Sequence, residues 1–376
     1  MDKNIAIVVT DCLRLDGAVK MGTFAKLQTQ GAFFMNAYAV AHCSDPNFVS
    51  MLTGLHVDGH KVYTNYPRSM PYSGPFLQEL LKENGYETAF LGFRWSDEVK
   101  AGQDSTAHVY WKGWDNSDLF TVNESQQVGV ISELLREVVS GLSPWFVMVR
   151  LMHLHEPFHS YDTTVERLDR DLEPILDLLK DAFVLVLVSD HGQEIGRHEG
   201  YVGHNYHLWE GLVHVPLAIR CPRFAPRTVD KFVQHQDLLV TICDLVGVEP
   251  PVIGGGRNLV PLMAGHDVRW RGEIHCGGIG VGAALRGWKH RSVRRGSFKL
   301  IRGIHREEGV QELLFNVKKD FNEWKPLRDP EMRISLSFAM DKWMKEHGVD
   351  ELFEVGLTAA EEQEILRRLE GHGYIG

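Results

Sequence analysis

Phe183 to Val188 constrain this chain most: six consecutive apolar residues, followed at once by Ser189-Asp190-His191-Gly192. A short apolar run rich in β-branched residues suits a strand buried on both faces, as in a parallel sheet. Where that strand ends, Asp190 and His191 bring a carboxylate and an imidazole to the C-terminal edge of the sheet. In open α/β sheets this edge is where ligands bind. Gly192 lets the backbone turn sharply. Imidazole with carboxylate suits zinc, manganese or iron better than the all-oxygen shells of calcium and magnesium. The plainer reading of the pair is a cap and turn for the segment that follows.

A second buried-strand pattern, Ile5 to Thr10, also ends in an acid, Asp11. If the two strands are neighbours, Asp11 and Asp190 stand side by side, as a divalent metal requires; otherwise Asp11 caps a helix. Met21 to Gln30 reads as a helix and Gly31 to Ala37 as a strand. A further helix is expected to start near Pro46, since proline is favoured in a first turn. Ser44 lies just before it, where free N–H groups and the helix dipole stabilise an oxyanion or phosphate. It is either an N-cap or a nucleophile. As a nucleophile it needs a metal to lower its pKa, because no Ser-His-Asp triad is evident in the sequence order.

The net charge of −10 argues against broad nucleic-acid binding, which needs a basic surface. It does not argue against an anionic substrate, because a metal and a few local cations set the field in a pocket. The cysteines, Cys12, Cys43, Cys221, Cys243 and Cys276, are odd in number and form no Cys-x-x-Cys. A reduced, cytoplasmic chain is the simplest account. No leader-like segment precedes Ile5, and no apolar stretch approaches the ~18 residues of a membrane span.

Pro75 to Asn84, Glu124 to Leu142, Thr163 to Leu179 and Gln236 to Leu245 read as helices, and Thr88 to Leu91, Pro144 to Leu151 and Val215 to Ile219 as strands. The strand ending at Leu151 runs into His153, His155 and His159. Strand alternation, if continued, puts His153 and His155 on one face. From about Gly254 the texture changes to alternating segments such as His290 to Val293 and Phe298 to Arg302. Helices are expected at Pro330 to His347 and Thr358 to Glu370. This divides the chain into a catalytic core, 1–253, and a C-terminal subdomain, 254–376.

Four motifs make the chain resemble the sulfatase-like branch of the alkaline phosphatase superfamily. They are the strand ending in Asp11 with Leu13-Arg14; Ser44-x-Pro46 followed by Leu52-Thr53-Gly54; Asp190-His191-Gly192 with His198 and Gly203-His204; and Trp209-Glu210 followed by His214-Val215-Pro216-Leu217. The resemblance implies an α/β/α sandwich with a mostly parallel central sheet and a smaller C-terminal antiparallel sheet. It also implies a metal held by Asp11, Ser44, Asp190 and His191, a serine nucleophile at Ser44, and a proton donor among His155, His198 and His204. Arg94, Asn47 and His153 are the expected substrate contacts. The formylglycine signature of sulfatases is broken twice: Ser44 stands in the cysteine position and Phe48 in that of the following arginine. Cys43 is expected to be a packed thiol, and Phe93 and Trp95 replace cationic residues. Asp190-His191 is closer to the phosphoryl-processing members.

The expected activity is therefore metal-dependent hydrolysis of small anionic phosphate or phosphonate esters through a phosphoserine. Sulfate-ester hydrolysis, phosphotransfer, and a catalytically silent binding protein on the same fold are the alternatives. One divalent ion is expected, manganese or zinc ahead of calcium or magnesium, with a second metal less favoured. No nucleic-acid or membrane partner is expected, and a homo-oligomer is left open.

Overall fold

A computed structural model describes residues 3–65, 72–93, 113–120, 124–141, 144–155, 160–204, 207–251, 255–278, 288–305 and 307–349. Arg94, Trp95, His159 and the helix expected at 358–370 lie outside these residues. The strands are β1 (Ile5–Thr10), β2 (Ala32–Tyr38), β3 (Glu87–Phe93), β4 (Asn116–Phe120), β5 (Trp145–Leu151), β6 (Val184–Val188), β7 (Glu194–Ile195), β8 (Val202–Gly203), β9 (Leu217–Arg220), β10 (Arg227–Gln234), β11 (Glu273–Gly278), β12 (Trp288–Arg295), β13 (Phe298–His305) and β14 (Gly309–Asn316). The longer helices are α1 (Gly22–Gln28), α2 (Ser44–Thr53), α3 (Leu77–Glu83), α4 (Glu124–Val139), α5 (Tyr161–Leu178), α6 (Asp237–Val246) and α7 (Pro330–Glu346).

The central sheet runs β10-β2-β9-β6-β1-β5-β3-β4. Five of its seven pairings are parallel; β9 alone runs against its neighbours, β2 and β6. Strand alternation splits the buried side chains between two cores. Ile5, Ile7, Val9, Phe146, Met148 and Val186 pack with Phe48, Leu77 and Leu238, under α2, α3 and α6. Ala6, Val8, Val147, Val149 and Leu187 pack with Phe24, Ile131 and Leu168, under α1, α4 and α5. This is the expected three-layer sandwich. Burial on both faces is why β1, β5 and β6 read as apolar runs, broken in β5 only by Arg150.

A separate antiparallel sheet, β11-β12-β13-β14, follows in the C-terminal part, with α7 packed on it through Leu336, Met340 and Met344. Leu259, Leu262 and Met263 belong to the central core. The central core thus includes residues as far along the chain as Met263.

Candidate active site

The register of the central strands builds the site. Val9 of β1 pairs with Val188 of β6 on one side and Arg150 of β5 on the other. All three strands run parallel, so Asp11 and Asp190 emerge together at one C-terminal edge, and both are fully buried. The Asp11 N–H donates to Leu151 O at 2.9 Å. Cys12 turns away with φ 63°, a left-handed backbone, and its N–H donates to Asp190 Oδ1 at 3.4 Å. Gly192 is a glycine for closeness rather than for positive φ: a Cβ there would stand 2.0 Å from Gly211 O.

His191 is held in one tautomer. Its Nδ1 lies 2.8 Å from Gly192 O, a group that only accepts, so Nδ1 carries the proton. Nε2 therefore presents its lone pair to Ser44 Oγ at 3.1 Å, Asp190 Oδ2 at 3.6 Å and Asp11 Oδ1 at 3.9 Å. The two carboxylates titrate apart. Burial pushes Asp11 up, but Arg150, His155 and His191 outweigh it and hold Asp11 well below the usual carboxylate range. Asp190 is raised to about 6 by burial and by the charge of Asp11.

Ser44 is the first residue of α2, not its cap. Cys43 occupies the extended cap position, and Pro46 falls inside the first turn. The preceding loop is pinned by Asn47. Its Oδ1 accepts from the N–H groups of Val40 and Ala41 at 2.9 and 3.1 Å, and its Nδ2 donates to Ala41 O and Cys43 O at 2.8 and 2.9 Å. His235 Nδ1 lies 3.1 Å from the same Oδ1. Asn47 was expected to touch substrate; its side chain is instead committed to the loop that presents Ser44.

The other expected residues divide. His204 is buried, with its ring 4.5 Å from that of His191 and 5.0 Å from that of His155. Burial, then the neighbouring imidazoles, push His204 well below its ordinary range. His155 also lies close enough to Asp11 to lower its pKa. His153 goes elsewhere: β5 ends at Leu151, the chain turns, and Nε2 meets Asp171 of α5 at 2.9 Å. The alternation carried past Leu151 does not hold. His198 stacks on Trp209 at 3.7 Å, and its Nδ1 pairs with Glu194 at 2.7 Å, with no contact to Ser44. Cys43 is a packed thiol that burial, with Asp45, raises well above its normal range.

Two residues at the site were not anticipated. Arg150, in the apolar run of β5, shares the face of Phe146 and Met148 and so points at α2. It ion-pairs with Asp11, its Nε 2.9 Å from Oδ2, and its Nη2 reaches Ser44 Oγ at 3.1 Å. The signal for it was a lone arginine in a strand otherwise buried on both faces. His42, just ahead of Ser44, is fully buried, and neither ring nitrogen finds a hydrogen-bond partner among the described residues. His42 packs against Gly278 of β11 and lies near His290 of β12, so the C-terminal sheet borders the site.

The donor set fits a divalent cation. One oxygen each from Asp11 and Asp190 and a His191 nitrogen lie within 4.8 Å of one another. Asp190 Oδ2 is buried without a hydrogen-bond partner. Arg150 ion-pairs with Asp11, and a cation between the two buried carboxylates would balance the remaining charge. Cys12, His191 and His204 form a second cluster of the same tightness. In it His191 faces Cys12 Sγ through Nδ1, at 3.8 Å, and Nδ1 is committed to Gly192 O. The cluster through Nε2 is therefore the better site, and it needs only one ion.

Acid-tipped neighbouring strands, a serine opening a helix between them and a C-terminal antiparallel sheet define an alkaline phosphatase superfamily fold. Residues 15–248, more than half of the chain, match the family model described as Sulfatase, and the chain belongs to that family. Residues 199–349 match the model for the C-terminal region of N-sulphoglucosamine sulphohydrolase. Among curated relatives, the uncharacterized sulfatase YidJ of Escherichia coli is 26% identical over 180 residues, covering 46% of this chain and 34% of that protein. Arylsulfatase K of Xenopus laevis is 22% identical over 357 residues, covering 69% of this chain and 66% of that protein. The chain thus spans about a third of the first relative's length and just under two thirds of the second's. A 2-O GAG sulfatase superposes with TM-score 0.75 at 18% identity, over 93% of each chain. The phosphonate monoester hydrolase of Agrobacterium radiobacter gives TM-score 0.74 at 18% identity, over 92% of this chain and 96% of that one.

Proposed function

We propose that the chain hydrolyses small anionic esters, of phosphate or phosphonate first, with Ser44 as nucleophile and one divalent cation held by Asp11, Asp190 and His191. The observation that carries this is Ser44 Oγ, buried 3.1 Å from His191 Nε2 at the edge shared by the two carboxylates. A divalent cation there supplies the positive field that makes a serine hydroxyl acidic and screens a bound anion. The chain's own residues supply the rest. Asn47 and His235 keep the loop before Ser44 rigid, and Ser44 stands at the positive end of the α2 dipole, which favours a bound anion. Ser44 Oγ loses its proton to solvent and bonds to phosphorus as the ester P–O bond breaks, and the departing oxygen takes a proton from His155, since burial keeps His204 neutral. Water then bonds to phosphorus, the Oγ–P bond breaks, and Ser44 regains its proton.

The donor types support manganese or zinc over calcium, because an imidazole replaces an oxygen ligand. Five buried, unpaired cysteines support a reducing compartment, hence the cytoplasm. A second reading, sulfate-ester hydrolysis, has its own support: both family models and most relatives are sulfatases.

The test compares aryl phosphate monoesters, phosphate diesters, phosphonate esters and sulfate esters. Metal-stripped protein is resupplied with manganese, zinc, calcium or magnesium, beside Ser44→Ala. The expected result is metal-dependent phosphoryl turnover that drops at least ~10³-fold in the variant. Dominant sulfate turnover would move the assignment to sulfatase. Absence of turnover with any metal and any ester would leave a binding protein.

A further inference from the structure

We propose that Arg150 is a catalytic residue of this chain, holding Ser44 Oγ in its attacking orientation and stabilising the negative charge that gathers on it. This rests on Ser44 being the nucleophile. Arg150 is 4% exposed, so its charge is out of water and needs partners. A structural ion pair with Asp11 alone would meet that need. The guanidinium goes further: Nε and Nη2 both meet Asp11 Oδ2, and Nη2 also meets Ser44 Oγ at 3.1 Å. Its carbon lies 5.3 Å from the centroid of the Phe48 ring, one turn along α2 from Ser44. Ring contact and carboxylate together fix the plane of the fork, and with it the direction of the N–H that reaches Ser44.

Ser44 is thereby oriented from two sides. Arg150 donates to one Oγ lone pair, and His191 Nε2, 3.1 Å away, marks the side on which the cation would meet Oγ. The contact to Arg150 costs little in the hydroxyl state and strengthens as Oγ acquires charge, which is the differential that lowers a barrier. It serves both halves of the reaction. In the first, charge develops on Oγ as its proton is lost to solvent, ahead of Oγ–P bond formation and ester P–O cleavage. In the second, charge returns to Oγ as water's oxygen bonds to phosphorus and Oγ departs, to be reprotonated. A lysine would be a point charge and could not span Asp11 and Ser44 in one plane.

The test uses the full-length, metal-loaded protein and whichever ester the wild type turns over. Arg150→Lys keeps a charge beside Asp11 and is the variant most secure in folding; Arg150→Met and Arg150→Ala remove the charge. The expected result for Arg150→Lys is kcat down ~10²-fold with KM, melting temperature and bound metal near wild type. An activated aryl phosphonate should label Ser44 correspondingly slowly, read by mass spectrometry. Guanidinium ion added to Arg150→Ala should restore part of the rate. Wild-type kcat and labelling in Arg150→Lys and Arg150→Met would overturn the role. So would a rate loss that follows only lost metal or lost folding and that guanidinium does not repair. A wild type that neither turns over any ester nor labels at Ser44 would instead overturn the ester-hydrolase reading beneath it.

Discussion

The molecule buries charge in two places, and the two are treated oppositely. At the edge of β6 and β1, Asp190 Oδ2 and both His42 nitrogens are buried without hydrogen-bond partners among the described residues. At the seam with the C-terminal sheet, Lys299 of β13 is 1% exposed between Glu210, at 3.2 Å, and Glu323, at 2.9 Å. Glu210 is further held by Tyr38 at 2.9 Å and Arg294 at 2.5 Å, and its N–H donates to Glu323 at 2.5 Å. Buried polar groups are stable only when satisfied. The seam pairs opposite charges from within the chain, by ion pairs of 2.9 and 3.2 Å rather than by aligned hydrogen bonds to Lys299 Nζ, which marks it as a joint. The strand edge is left short of partners, which marks it as a place that a cation and an anion complete.

The sharpest way to break this contrast is at the seam. Lys299→Met leaves two carboxylates buried with Arg294 as their nearby cation. Removing one partner of such a group costs about 3–5 kcal/mol. Denaturant unfolding should show a loss of that order, with metal binding by the surviving folded protein unchanged. A loss below ~0.5 kcal/mol would mean that the seam is no firmer than a surface ion pair.

Asp190→Asn tests the other side, and its effect should change sign with metal. Asp190 titrates at about 6 in the fold, above the ordinary 3.8 of an aspartate. Its folded-state contribution is thus fully present below about pH 4 and lost as pH rises through about 6. Metal-free Asp190→Asn should melt higher than metal-free wild type near pH 8, and no higher near pH 4. Saturating manganese or zinc should stabilise the wild type by about 2.7 kcal/mol at a hundredfold excess over Kd and the variant by much less. An undiminished metal response in Asp190→Asn would remove Asp190 from the ligand set.

The same contrast explains what could be read from the sequence. Asp11, Asp190, His191 and Ser44 were legible because each directly ends an apolar strand or opens a helix, which is local information. The sheet supplied what was missing, that β1 and β6 are neighbours. Arg150 was not legible, because its meaning lies in register: only its place on the face of Phe146 and Met148 turns it toward Ser44. His153 was misassigned by extending strand alternation two residues beyond the strand. Asn47 looked like a pocket residue because sequence does not reveal that its hydrogen bonds go to residues 40–43 and to His235. The reversed direction of β9 was hidden as well, since a four-residue strand with three buried apolar residues carries no sign of its direction.

Glu323 gives the smallest effect and the finest discrimination. Burial and the nearby Glu210 raise it to about 7, against the pull of Lys299. A carboxyl raised from 4.5 favours the folded state below about pH 4.5, and that contribution is lost as pH rises through about 7. The wild type should therefore lose stability between about pH 5 and pH 8 through this group alone. Glu323→Gln is neutral throughout and keeps an oxygen to accept the Glu210 N–H, so its melting temperature should fall less over the same range. Parallel curves for the two proteins would mean that Lys299 already holds Glu323 ionised. The seam would then be a fully charged triad, and the difference from the strand edge would lie in where the cation comes from: from a lysine of the chain at the seam, and at Asp190 from solution.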